Sequence, residues 1–185
     1  MRTWDDRAVD RSWRCQSCGE DHDGLATVFG PPAPDPWVMA GDQERSDGEL
    51  NADACVLPLP EQTFYFLRGH LQIPVLDGDL QTFTWSVWVS LSEANMRALA
   101  SRWDDLDRTA LPTMFGWLST VLTPYQPATT NLATNVMTRA PGLVPLIHLN
   151  PGDEHPLAQE QRNGITMHRV AELNRLLHVG GAARP

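Results

Sequence analysis

Three cysteines and one histidine form the clearest set of potential metal ligands in the sequence. Cys15 and Cys18 make a C-x-x-C motif followed at once by Gly19, and His22 and Cys55 lie further along the chain. Thiolate sulfur and neutral imidazole nitrogen are ligands that Zn²⁺ favours, and C-x-x-C places two sulfurs on one tight turn. The sequence therefore predicts a zinc knuckle bound by Cys15, Cys18, His22 and Cys55.

The number of ligands decides which chemistry such a zinc supplies. Four protein ligands close the coordination shell and are typical of a structural zinc, whereas a catalytic zinc keeps one position open for water. The alternatives to zinc are three inert buried thiols or a redox pair. The acidic residues that follow the motif weaken the redox interpretation, because nearby carboxylates raise the pKa of a thiol; they are Glu20, Asp21 and Asp23.

A second set of polar residues depends on two strands. Residues 63–75 and 82–91 carry apolar side chains at odd positions, and Asp77-Gly78 lies between them. A period of two predicts strands with one buried face, and the turn residues predict a hairpin. Aligning the apolar faces requires odd positions opposite odd ones. The other face then gathers Arg68, His70 and Gln72 near Ser86, Trp88 and Ser90.

These polar residues are candidates for a ligand pocket. An arginine can bind a carboxylate or phosphate through two hydrogen bonds, and Arg162 lies beside Asn163 in a polar string at 152–165. The alternatives are a solvated outer face with one stacked Arg–Trp pair, and an exposed polar surface for the string. We expect a polar pocket whose floor is Arg68, His70 and Trp88 and whose wall is His155, Arg162 and Asn163.

The remaining pattern predicts the fold class. Ser90-x-x-Glu93 is a capping-box pattern ahead of an amphipathic helix, and weaker strand patterns follow at 131–139 and 143–149. Helices are expected at 156–162 and 167–178, and the F-G-W-L string at 115–118 is expected in the core. Strands first and helices later predict an α+β fold with a mainly antiparallel sheet, flanking helices and the zinc-knuckle-like turn.

The predicted organisation is a single globular domain. Residues 1–12 are expected to be a flexible leader, 13–180 the domain and 181–185 a tail. Within the domain, we expect the knuckle and a Pro-rich wrap at 13–55, a sheet with one inserted helix at 56–150, and the C-terminal helices at 151–180.

Composition excludes several classes of partner. The formal net charge is -9, every basic residue is arginine, and no basic run occurs. Binding to nucleic acid or to an anionic membrane surface is therefore not expected. An odd cysteine count that includes a C-x-x-C, without a membrane-spanning stretch or signal peptide, favours the cytoplasm.

Several strings together resemble a bacterial family known as domain of unknown function 2199. They are C-Q-S-C-G-E-D-H at 15–22, the strand start at Cys55, R-G-H-L-Q-I-P-V at 68–75, W-S-V-W-V-S-L-S at 85–92, F-G-W-L with the downstream Pro124-Tyr125, and H-P-L-A-Q-E-Q-R-N-G-I at 155–165. The resemblance implies a cytoplasmic bacterial single-domain protein. It also strengthens the expectation that His155 and residues 161–163 have a role beyond forming exposed surface. It implies no activity. Ser86 stands where the family usually has glycine, and its side chain would narrow a pocket on that sheet face.

The sequence thus favours a zinc-stabilised, non-enzymatic binding or interaction domain. Its partner would be a small anionic ligand or a protein, the latter on the support of the acidic surface alone. The rival class is a metal-assisted hydrolase with an open Cys, Cys, His zinc site and His70 or His155 as the acid–base group.

Zinc content tests the knuckle. We expect elemental analysis of the purified protein to find about one zinc per chain, with thiols protected from titration until the protein is unfolded, because full ligation by thiolates stabilises the fold. Absence of metal together with three freely titrating thiols would contradict the zinc site.

Overall fold

The computed structural model describes residues 13–14, 21–22 and 25–181, with side chains over 25–177. Cys15, Cys18 and the predicted leader lie outside the described residues, and His22 is described by its backbone alone. Within these ranges the strands are β1 (Trp13–Arg14), β2 (Asp21–His22), β3 (Val28–Phe29), β4 (Glu49–Leu50), β5 (Ala54–Pro58), β6 (Thr63–Pro74), β7 (Thr82–Leu91), β8 (Met114–Leu118), β9 (Ala133–Met137) and β10 (Leu146–Leu149). The helices are α1 (Asp35–Met39), α2 (Asp42–Asp47), α3 (Glu93–Ala100), α4 (Pro156–Asn163) and α5 (Met167–Gly181), with a 3-10 turn at Leu106–Ala110.

The long hairpin of β6 and β7 confirms the predicted register. The two strands pair antiparallel through ten residue pairs, among them Leu71 with Trp85, so that odd positions face odd positions. On the other face, Arg68 pairs with Trp88 and His70 with Ser86. This register agrees with the alternation of apolar and polar residues, because a shift by one residue would turn the apolar set of one strand away from the main core.

Five strands close into a ring. β7, β8, β9 and β10 follow one another as antiparallel neighbours, β6 pairs with β7, and β10 pairs with β6 in parallel. In a meander of five strands the first and the last run in the same direction, so closure between them must be parallel. β3 is also parallel to β7. The predicted α+β class is confirmed, but the sheet is mixed rather than mainly antiparallel.

The seam of the ring, between β6 and β10, is closed largely by helix α4 and the residues that follow it. The two strands share one register pair, Leu146 with His70. Beyond it, the side-chain amide of Gln161 donates to Ile147 O at 2.8 Å and accepts from Leu149 N at 2.8 Å. Ile165 donates to Pro74 O and accepts from Leu76 N on the β6 side. Backbone groups that a strand would have paired are therefore satisfied by α4 and Ile165.

The inward faces of the ring form the main core. Its largest members are Trp85, Phe83 and Tyr125, each at most 2% exposed. Leu157 from α4 and Leu173 from α5 join the same cluster, so the C-terminal helices cover the ring as part of one apolar interior. Burial of these aromatic and branched side chains is the main favourable contribution to folding.

A second, smaller cluster lies on the opposite face of β6. Cys55, Leu57, Phe66 and Trp88 are buried there, with Trp37 packed against them. The segment expected as a Pro-rich loop carries α1, α2 and β4, and β4 extends the sheet by pairing with β5. The Pro-rich stretch therefore covers apolar surface as well as wrapping the molecule.

Two local predictions were wrong. Helix α3 is capped by Ser92, whose hydroxyl accepts from Asn95 N at 3.2 Å, because Ser90 still belongs to β7. In the F-G-W-L string the rings of Phe115 and Trp117 face outward and are 52% and 46% exposed, although it was expected in the core.

Gln161 provides a stability test of the seam. We expect Gln161→Leu to lower the free energy of unfolding by about 1–3 kcal/mol, because it removes two hydrogen bonds and leaves Leu149 N and Ile147 O without partners in a buried setting. Urea unfolding would measure the change. The matched control is Gln159→Leu, since Gln159 is exposed and its side chain bonds Glu154 O just ahead of the same helix. Equal effects of the two variants would contradict this role for Gln161.

Candidate functional site

Arg68 lies over the ring of Trp88 and is bonded to the Pro-rich segment at Pro31 and Pro32. Its guanidinium carbon is 4.8 Å from the indole centroid, and Nη2 donates to Pro32 O at 3.0 Å and Pro31 O at 3.4 Å. Trp88 is fully buried, and its indole N–H also donates to Pro31 O at 3.2 Å. These contacts fix the orientation of the Arg68 side chain before any ligand arrives. They match the predicted stacked Arg–Trp pair, but Trp88 lies under a cover rather than on an open floor.

One donor of Arg68 lacks a partner. Its Nε is buried and makes no hydrogen bond with any atom in the described part of the chain. A buried guanidinium N–H without an acceptor costs free energy, so such a group usually has a partner in the functional state.

His70 lies two residues further along β6, on the same face. Burial lowers the pKa of its imidazole, and the positive charges of Arg139 and Arg68 lower it further. Burial and the two arginine charges all disfavour the protonated imidazolium, so they favour the neutral form of the His70 ring. The pairing of His70 with Ser86 and Leu146 places it at the seam of the ring.

The Arg139 backbone is held in place by a buried arginine that the sequence did not single out. Arg108 is 1% exposed, and its Nε donates to Arg139 O at 2.8 Å. Its other guanidinium nitrogens donate to Trp103 O, Ala140 O and Leu143 O at 2.8–3.0 Å. This side chain therefore ties the loop between β9 and β10 to the 3-10 turn, and with it Arg139, whose charge acts on His70.

The three groups have no acidic counterpart in the described structure. Among described side chains, ion pairs join Arg45, Arg97, Arg102 and Arg169 to carboxylates, and none involves Arg68, His70 or Arg139. In a chain with a formal charge of -9, a cluster of cationic side chains without carboxylates is unusual. We call Arg68 and Arg139, together with the neutral His70 whose pKa they lower, the cationic cluster.

Ser86 pairs with His70 across the β6–β7 hairpin. It is only 9% exposed, and Gly30 lies against it. A Cβ on Gly30 would lie 1.9 Å from Ser86 O and 2.7 Å from its Cβ, so only glycine fits at position 30. The Ser86 side chain therefore fills space against Gly30.

The predicted wall residues lie elsewhere. The His155 ring is 6.3 Å from Tyr125 in the main core, whereas Trp88 belongs to the second cluster. Nδ1 of His155 accepts from Leu157 N, which leaves the proton on Nε2 to donate to Pro127 O at 2.9 Å. Arg162 donates to Asp153 O, and both Arg162 and Asn163 are exposed. No hydrogen bond, ion pair or ring contact among the described residues joins these three to Arg68, His70 or Arg139.

The rest of the 155–165 string has structural roles. Gln161 closes the seam, and Glu160 accepts from Tyr125 Oη at 2.5 Å while pairing with Arg169 at 2.8 Å. Burial and the Glu160 carboxylate raise the pKa of Tyr125, so its hydroxyl stays protonated and can donate. Glu160 and Gln161, two of the polar residues that suggested a binding surface in the sequence, therefore form internal hydrogen bonds.

Cys55 has apolar surroundings. It is fully buried among Leu57, Phe66 and Trp88, and burial raises the pKa of its thiol to about 12. The part of the chain that the structure describes contains no group of three histidine, cysteine, aspartate or glutamate side chains that could hold a metal ion. The surroundings of Cys55 fit an inert thiol better than a zinc ligand, and Cys15 and Cys18 lie outside the described residues.

Sequence reasoning missed Arg108 and Arg139. Arg108 lies in a segment without periodicity and Arg139 at the end of a weak strand pattern, and nothing in the local sequence distinguishes either from an exposed arginine. Their roles depend on contacts with residues about 30 positions away along the chain.

Among the described residues, no helix is long and apolar enough to cross a membrane.

Comparison with known proteins gives a family without an assigned activity. Neither the curated proteins nor the solved structures contain a significant match. One family model matches residues 14–165, described as an uncharacterized protein conserved in bacteria. The match spans the ring, the cationic cluster and helix α4, and it confirms the resemblance found in the sequence. The chain belongs to this bacterial family, domain of unknown function 2199.

Proposed function

We propose that this protein is a non-enzymatic binding domain whose cationic cluster takes a small anionic ligand. The observation that carries the proposal is that the charges of Arg68 and Arg139 both act on His70 at the seam of the ring, while neither arginine forms an ion pair with a described carboxylate. Such a cluster is electrostatically unfavourable when empty, and an anion would relieve the repulsion.

The contacts around the cluster support a preorganised site. Arg68 is held by Trp88 and by two proline carbonyls, and the backbone of Arg139 is held by Arg108. Fixed donors lose little conformational freedom on binding, so more of the interaction energy remains as affinity.

Zinc remains part of the proposal as a structural element near the N-terminus. Its support is the antiparallel pairing of β1 with β2, which places the backbone of His22 opposite Trp13, two residues before Cys15 in the sequence. The ligands would be Cys15, Cys18 and His22, with Cys55 less suited on account of its apolar surroundings. Cys55→Ser would destabilise the core with or without metal, so loss of zinc from Cys15→Ser is the sharper test.

The anion site predicts the behaviour of charge-removing variants. We expect inorganic phosphate or succinate to bind the protein, and Arg139→Gln to weaken binding at least about tenfold, because a charge-assisted hydrogen bond contributes about 1.5–3 kcal/mol. Isothermal titration calorimetry would measure both affinities. The matched control is Arg97→Gln, an exposed arginine paired with Glu93 on α3. The proposal would be contradicted if neither phosphate nor succinate binds. It would also be contradicted if Arg139→Gln and Arg97→Gln lose affinity equally.

The state of His70 gives a prediction for pH. Its folded pKa lies below the ordinary value of 6.5, so the folded state binds fewer protons than the unfolded chain. Stability from this group is full above pH 6.5 and falls as the pH drops below 6.5 towards the folded pKa. We expect His70→Gln to lose this part of the pH dependence, as followed by urea unfolding between pH 7.5 and 5.

NMR titration of the His70 ring completes that experiment. We expect its pKa to lie below 6.5 in the free protein and to rise when phosphate is added, because a bound anion offsets the two arginine charges. A pKa at or above 6.5 in the free protein, or one unchanged by saturating anion, would be inconsistent with the cationic cluster.

A further inference from the structure

A groove with exposed aromatic rings lies on the outer side of β8, next to the start of β6 and of α3. Its volume is about 760 Å³, within the range of small-molecule sites. Phe115 and Trp117 form one side, with ring centroids 4.9 Å apart at 88°. These two rings are about half exposed, and no part of the described chain covers them. Large apolar rings left open to water at a concave surface are typical of recognition sites.

The backbone geometry beneath the groove brings β7 and β8 unusually close. A Cβ on Gly116, between the two rings, would lie 2.5 Å from Ser90 O. Glycine at this position therefore allows Ser90 to approach Trp117, and Ser90 Oγ is 3.5 Å from Trp117 O. Ser90 is also the register partner of Trp117, so the two side chains lie on the same face of the sheet.

The polar side of the groove is neutral. It is lined by amide and hydroxyl side chains, namely Gln62, Thr63, Ser90, Ser92 and Asn95. The one acidic group that lines the groove, Glu93, is paired with Arg97 at 2.6 Å. A ligand here therefore meets aromatic faces and uncharged donors and acceptors, with no unpaired charge to attract an ion.

We propose that this aromatic groove binds a neutral saccharide. A sugar ring presents C–H groups on its faces and hydroxyl groups at its edge. The faces suit the rings of Trp117 and Phe115, and the hydroxyls suit amides such as Gln62 and Asn95, which can donate and accept at once. The volume accommodates more than a single sugar ring. This site is separate from the cationic cluster, since the two share no residue.

The test uses the full chain on a printed array of neutral oligosaccharides, built from glucose, galactose, mannose and N-acetylglucosamine. The strongest glycan is then titrated while tryptophan fluorescence is followed. We expect at least one glycan to bind and Trp117→Ala to weaken it at least tenfold. Met137→Ala is the matched control, because Met137 is also 46% exposed but does not line the groove, and it should change affinity less than twofold.

A second variant protects the test from a folding defect. Gln62 is exposed, so Gln62→Ala should fold normally and still weaken binding through lost hydrogen bonds. The anion site serves as an internal control, because phosphate binding should be unchanged in Trp117→Ala. Three results would overturn the proposal: no glycan binds, Trp117→Ala binds as well as the parent, or a proline-rich peptide occupies the groove in place of any glycan.

Discussion

The rest of the structure depends on closure of the five-strand ring between β6 and β10. These strands share a single register pair, Leu146 with His70, and most of the remaining hydrogen-bonding groups along the seam are satisfied by Gln161 and Ile165. Without these partners, β10 would present an open edge, and the apolar interior of the ring would be accessible to water. Helix α4 is thus part of the sheet's hydrogen bonding as well as a cover for the core.

Closure also determines which side chains meet on the outer surface. His70 lies at the seam itself, and the loop that enters β10 carries Arg139, anchored through its carbonyl by the buried Arg108. On the same face of the sheet, the Pro-rich segment covers Trp88. The carbonyl oxygens of Pro31 and Pro32 accept hydrogen bonds from Arg68 and fix its side chain. The charges of the cationic cluster are therefore held together by backbone that cannot move without opening the ring or lifting the cover. That constraint is the physical basis for a site formed before the ligand binds.

The sequence predicted the parts of the fold that local alternation controls. The register of β6 with β7, and with it the pairing of Arg68 with Trp88, follows from period-two patterning. The start of α3 was misassigned because β7 continues through Ser90, and strand pairing outweighs a local capping pattern. The role of His155 could not be inferred, because its partner Pro127 lies 28 residues away. The role of Arg108 could not be inferred for the same reason, because a buried arginine bonded to four carbonyl groups has no local sequence pattern.

Hydrogen exchange at the seam tests the account most directly. The amides of His70, Leu149 and Ile165 bond Pro145 O, the Gln161 side chain and Pro74 O. If the ring is closed, these amides exchange only through global unfolding, with the same urea dependence as core amides of β7. Exchange at the rate of an open sheet edge, while the β7 amides stay protected, would contradict closure and with it the fixed geometry of the cationic cluster.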